Sequence, residues 1–187
     1  MKHWHIFVAA MLAMGLAGQG MAADKPDALI YINPNEFSHE IRLGVPPYFS
    51  QWILKGPVVE AAAREALAPH FASVALCDGV SGADVLVWVK PNVTYNPSIR
   101  RYYARLNVQF HLGSGKQFGV YKATGEQDGA IGSIYAEQQV QQAFNAAMAD
   151  VVRQYLADVS AQQVLTNAML QNQTKVPCAL IGAIPNP

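Results

Sequence analysis

The chain has 187 residues, 51% of them apolar and only 14% charged, so it is rich enough in core-forming side chains to exclude intrinsic disorder. Its 13 basic residues balance 13 acidic ones, which removes any electrostatic case for nucleic acid or anionic lipid as the main partner.

Met1 to Ala23 carries Lys2, an apolar run from Ile6 to Ala17, and the small-x-small sequence Gly20-Met21-Ala22. That three-part pattern reads as a secretory signal cleaved after Ala22, and the run is shorter than the roughly 20 residues that span a bilayer. The remaining residues, 23–187, suit one domain with a C-terminal tail. An exported chain meets oxidising conditions, so its two cysteines, Cys77 and Cys178, are expected to pair. Asp78 adjoins Cys77, and a carboxylate there disfavours the reactive thiolate that a catalytic role would need.

Asp27 to Asn33 reads as a strand on Leu29, Ile30, Tyr31 and Ile32, stopped by Asn33-Pro34. Pro34 to Lys55 follows as a long, aromatic-rich loop with Phe37, Tyr48, Phe49 and Trp52, either folded over the core or offering partner anchors. Pro57 is expected at the first position of a helix whose stripe is Val58, Val59, Ala62, Ala66, Leu67 and Phe71. Ser73 to Asp78 is a short strand closed by a turn at Gly79 and Gly82. From Asp84 to Val93 nearly every residue is apolar, as in a strand covered on both faces.

Arg101 to Leu112 alternates cleanly. Ala104, Leu106, Val108, Phe110 and Leu112 face one way, and Tyr103, Arg105, Asn107, Gln109 and His111 the other. Gly113-Ser114-Gly115 turns the chain into a partner strand from Lys116 to Thr124. Tyr135 to Val159 then shows helical periodicity, and Ser160 to Gln173 continues it after a break or forms a second helix. The tail from Val176 to Pro187 is uncharged, and a Cys178 bridge would tie it to the strand holding Cys77. The expected fold is α+β, a mixed or antiparallel four- to five-stranded sheet with two main helices packed on one face.

Catalytic templates fail. Gly79-Val80-Ser81-Gly82 lacks the nucleophile-elbow spacing, and Gly113-Ser114-Gly115-Lys116 has Phe110 and Gln117 where a phosphate loop needs glycine and Ser or Thr. His39, His70 and His111 are isolated, so no metal and no cofactor is expected. Glu126 and Asp128, between Gly125 and Gly129, form the one compact acidic cluster, read as a solvated turn or as the carboxylates of a hydrolase.

Surface recognition is the reading left. The row Tyr103, Arg105, Asn107, Gln109 and His111, together with Tyr48, Phe49 and Trp52 in the loop, are the candidate contacts. The order of strand, Pro57-led helix, antiparallel strands and long helix, from about Ala28 to Val159, resembles the small envelope accessory proteins of Gram-negative bacteria. These are auxiliary components of ABC transport and lipopolysaccharide assembly, mostly outer-membrane lipoproteins that scaffold or plug larger machines. In those families Leu16-Ala17-Gly18 would lead into a lipid-bearing cysteine, whereas here Gln19 follows, so no lipid anchor is expected. With the charge balance and the outward row, the resemblance leads to the expectation of a noncatalytic accessory or binding protein whose partner is another envelope protein or a glycan, with neither nucleic acid binding nor direct membrane insertion. A secreted hydrolase and a secreted inhibitor or effector are the alternatives.

Overall fold

A computed structural model of the chain describes residues 25–45, 49–130, 132–171, 175, 177, 178 and 181. Residues 1–24, on which the expected export signal falls, Tyr48 and most of the tail lie outside the described residues. In chain order the elements are β1 (Ala28–Ile32), α1 (Pro34–Phe37), β2 (Glu40–Val45), β3 (Phe49–Leu54), α2 (Lys55–Leu67), β4 (Val74–Leu76), β5 (Val85–Asn96), β6 (Arg101–Leu112), β7 (Gln117–Asp128), α3 (Ala136–Ala157) and α4 (Val159–Leu170). The main sheet is mixed, in the order β4-β1-β5-β6-β7, with β1 parallel to both neighbours and β5, β6 and β7 antiparallel. The α+β architecture expected from the sequence is the one found.

The five strands read from periodicity are these five. β1 is sandwiched, with Ala28, Ile30 and Ile32 in the main core and Leu29 in a smaller cluster on the opposite face. α2 and α3 cover the main-core face, burying Val58, Val59, Ala62, Ala63 and Leu67 from one helix and Val140, Ala143, Phe144, Ala147, Met148 and Val151 from the other. α2 begins at Lys55, two residues before the expected proline start. The Lys55 N–H is already bonded to His39 O at 3.0 Å, so the turn is set before Pro57, which sits where an orphan N–H would lie anyway. Asp158 breaks the long helical pattern, its Oδ1 accepting the Ala161 N–H at 3.0 Å and so starting α4.

The segment read as a long loop is structured. Beyond α1 it forms an antiparallel hairpin, β2 with β3, in which Ile41 pairs with Ile53 and Leu43 with Gln51. Ile41, Leu43 and Ile53 are buried in the main core, while Arg42 and Trp52 pair on the outer face of the hairpin. Composition concealed this alternation: Pro46-Pro47 and the aromatics outweighed a six-residue period-two signal.

Pro91 lies inside β5, a position normally closed to proline. The N–H that proline lacks is not needed there, because pairing of β5 with β1 ends at Ile32 opposite Val89. On that uncovered edge the buried Lys55 ammonium ion-pairs with Glu36 and reaches Pro91 O at 3.5 Å.

Gly125 on β7 lies against the backbone of α3. A Cβ there would overlap Ala143 O and sit 2.6 Å from Ala147 N, both backbone atoms of α3 that cannot rotate away. Gly125→Ala is therefore expected to destabilise by about 1–3 kcal/mol or more, as overpacking does. A wild-type urea midpoint in this variant would show that α3 is not seated on β7 as described.

Candidate functional site

The face of the main sheet turned away from α2 and α3 divides into two ends. At one end Leu86 on β5 packs with Leu29, Ala83 and Cys178, joined by the partly buried Tyr31, Cys77 and Ile181. The Cys77–Cys178 disulfide expected from the sequence is present, closing a separation of 101 residues at a Cα–Cα distance of 5.8 Å. Lys175 adds an ion pair to Asp84 at 2.9 Å, which holds the lysine more strongly protonated than usual. A Cβ at Gly82 would overlap Lys175 O, so the tail passes hard against the chain there. The Asp78 carboxylate, beside the bridge, is lowered to about 2 because Ser81 donates its N–H and hydroxyl and Val80 its N–H.

Burial corrects part of the row expected on the open face. Tyr103 and Asn107 are half-buried and Arg105 exposed, but Gln109 and His111 are only 2% and 1% exposed. His111 pairs with Leu86 and Gln109 with Trp88, so both fall under the covered end, with Trp88 itself 4% exposed. The His111 ring lies 6.3 Å from that of Trp88, its Nδ1 is 3.2 Å from Gly115 O, and its Nε2 is 3.4 Å from Gln109 Oε1. Burial pushes the imidazole below its ordinary value, the Lys90 charge adds to that shift, and the Gly115 contact partly opposes it.

That shift has a sign. An imidazole kept neutral in the fold takes up a proton on unfolding, so stability falls as pH drops below about 6.5 and levels off below the folded value. His111→Gln should flatten this part of the profile. Urea midpoints measured between about pH 7.5 and 5 check it, and the same slope in variant and wild type would refute it.

The other end of the face is open and polar. Register places Lys90, Asn107 and Lys122 side by side across β5, β6 and β7, with Asn92, Arg105 and Thr124 in the next row and Thr94, Tyr103 and Glu126 beyond. Directly opposed side chains in such a sheet stand about 5 Å apart. Lys90 is braced by the Trp88 ring, its Nζ 4.3 Å from the centroid.

Glu126 and Asp128 are not in a flexible turn. They end β7, which runs past the expected limit at Thr124, and both bind Arg101, Glu126 Oε2 at 2.9 Å from Nη1 and Asp128 Oδ1 at 2.6 Å from Nε. Their exposed side chains neutralise a guanidinium.

No protein-family model matches the chain, and no curated protein matches its sequence. Among solved structures it is similar to a candidate lipoprotein from Caulobacter crescentus, at 19% identity over 61% of this chain and 83% of that one, with a TM-score of 0.34. It is also similar to a PelC dodecamer from Paraburkholderia phytofirmans, at 15% identity over 69% of this chain and 84% of that one, with a TM-score of 0.42. Both likenesses are remote.

The hairpin aromatics are separate from the sheet row. Ile41, Leu43 and Ile53 join the core on the helix side of the sheet, so the hairpin lies on that side and the row on the other. Trp52 is 57% exposed with the Arg42 guanidinium 5.6 Å from its ring, and Leu54 beside it is 50% exposed. Phe49 is in β3, its side chain outside the described residues along with Tyr48. Asn92, Lys90, Lys122 and Thr124 were missed as site residues because only strand register reveals that they flank Arg105 and Asn107. Among the described residues no helix is long and apolar enough to cross a membrane.

Proposed function

We propose that this is an exported, noncatalytic accessory or binding protein of the bacterial envelope that recognises its partner through the open end of the sheet face. One observation carries the reading: the chain covers one end of that face with its own disulfide-tied tail, and among the described residues nothing packs over the three-strand polar end. A disulfide spanning 101 residues fits an oxidising compartment, and the export signal read in Met1 to Ala22 fits the same place. The Arg101 clamp on Glu126 and Asp128 supports a structural use of these acids over a hydrolytic one.

Affinity capture from envelope extracts tests the proposal. Wild type should retain a specific partner, and Tyr103→Ala with Arg105→Ala should release it. Equal capture by the double variant, or no partner under gentle conditions, would overturn it. A second reading, an inhibitor or effector that inserts its hairpin, is favoured by the exposure of Trp52 and Leu54. It expects recovery of a foreign protease that Trp52→Ala no longer holds.

A further inference from the structure

We infer that the open end of the sheet is a binding site for an anionic glycan, a saccharide bearing carboxylate or phosphate groups. This rests on the reading that the open face binds, and it names the ligand class.

The charge on the face is unevenly shared. At the open end the strand-end acids Glu126 and Asp128 are both committed to Arg101. Lys90, Arg105 and Lys122 lie in the two adjacent rows around Asn107, and among the described residues neither Arg105 nor Lys122 has a carboxylate partner. With Asn107 and Thr124 they line part of a shallow depression of about 540 Å³, whose wall also includes Leu106, Ala123 and, from α3, Asp150. Asp150, the acid at its margin, is bonded to Arg153 and Gln154. A chain neutral in total thus carries a local surplus of positive charge, which is what an anion senses within a Debye length of about 8 Å.

The side chains match a sugar acid better than a protein. Protein interfaces keep charge out of their centres and rely on large apolar anchors, but this patch centres on three cations with Asn92, Asn107 and Thr124 between them. Arg105 presents a planar fork for a carboxylate or phosphate, and Lys90 and Lys122 supply point charges on either side of Asn107. Asn107 sits half-buried between the two lysines, and its buried Oδ1 has no hydrogen-bond donor among the described residues. Half-buried Tyr103 borders the patch as a flat apolar edge for a sugar ring.

Calorimetric titration of the purified protein with polygalacturonate, phosphomannan, neutral dextran and poly-L-glutamate tests this. Binding of polygalacturonate or phosphomannan is expected, the tighter of the two identifying the anion, with weakening at high salt and no binding of dextran. Arg105→Gln and Lys122→Gln should each weaken it about tenfold, the cost of one charge-assisted hydrogen bond, and Lys116→Gln in the β6–β7 turn should not. The proposal is overturned if no anionic glycan binds, if dextran binds equally, or if the two variants bind like wild type. Binding of poly-L-glutamate alone would overturn it in favour of an acidic protein strand. If envelope extracts still yield a partner that Tyr103→Ala with Arg105→Ala releases, while no glycan binds, the ligand class is wrong and the binding face stands.

Discussion

Cys77→Ser with Cys178→Ser, or reduction of the native bond, is expected to lower stability by about 2–5 kcal/mol. The chain-entropy model gives roughly 4.7 kcal/mol for closing a loop of about 100 residues, and native strain or residual denatured structure reduces that figure. Among the described residues the tail then keeps the packing of Ile181 on the small cluster and the Lys175–Asp84 ion pair, whose lysine is 48% exposed and which therefore contributes little against solvent screening. Cys178 would then leave the small cluster formed with Leu29, Ala83 and Leu86. Urea unfolding of oxidised and reduced protein measures the loss, and alkylation with mass measurement confirms the redox state. Equal midpoints in the two states would mean that the tail adds nothing to the fold.

Phe110→Ala should cost about 3–5 kcal/mol, the range for emptying a buried aromatic site. Phe110 is fully buried at the junction of sheet and helix layers, stacked on Tyr155 of α3 at 4.5 Å and 10°, with Tyr121 edge-on at 5.5 Å. Tyr155 stacks in turn on Phe71 at 6.2 Å, so the ring joins β6 to the chain that follows α2. Phe110→Leu retains most of the volume and should lose far less. The difference between the two variants separates filling from stacking, which adds about 0.5–1.5 kcal/mol per aromatic pair. A cost below about 1 kcal/mol for Phe110→Ala would show that the ring is not the keystone its burial indicates.

Much of the fold was legible because it is written in periods. Ala104, Leu106, Val108, Phe110 and Leu112 alternate in the sequence and are all buried in the structure, and the long helical stripe became α3. The β2–β3 hairpin was illegible for want of length: Glu40 to Val45 alternates over only three pairs. The candidate row was half legible, since alternation tells which face a side chain joins but not what lies above that face. The missing half had a signal. Val85 to Val89 is apolar on both faces, so its neighbours across the ladder, His111 and Gln109, had to share the cover that such a run demands. The cations beside Arg105 needed strand register, which no single segment contains.

The place of β1 sets an order in time. It is the first strand among the described residues, yet it lies inside the sheet, and Ala28 cannot pair until Val74 and Val85 exist to meet it. β5, β6 and β7 close by adjacent hairpins and can assemble early, whereas β1 must wait, its apolar Leu29-Ile30-Tyr31-Ile32 unpaired, for partners far along the chain. The interval before β1 docks is therefore when this protein is most exposed to misassembly, and a factor that shields residues 28–32 would protect it more than one acting on any later strand.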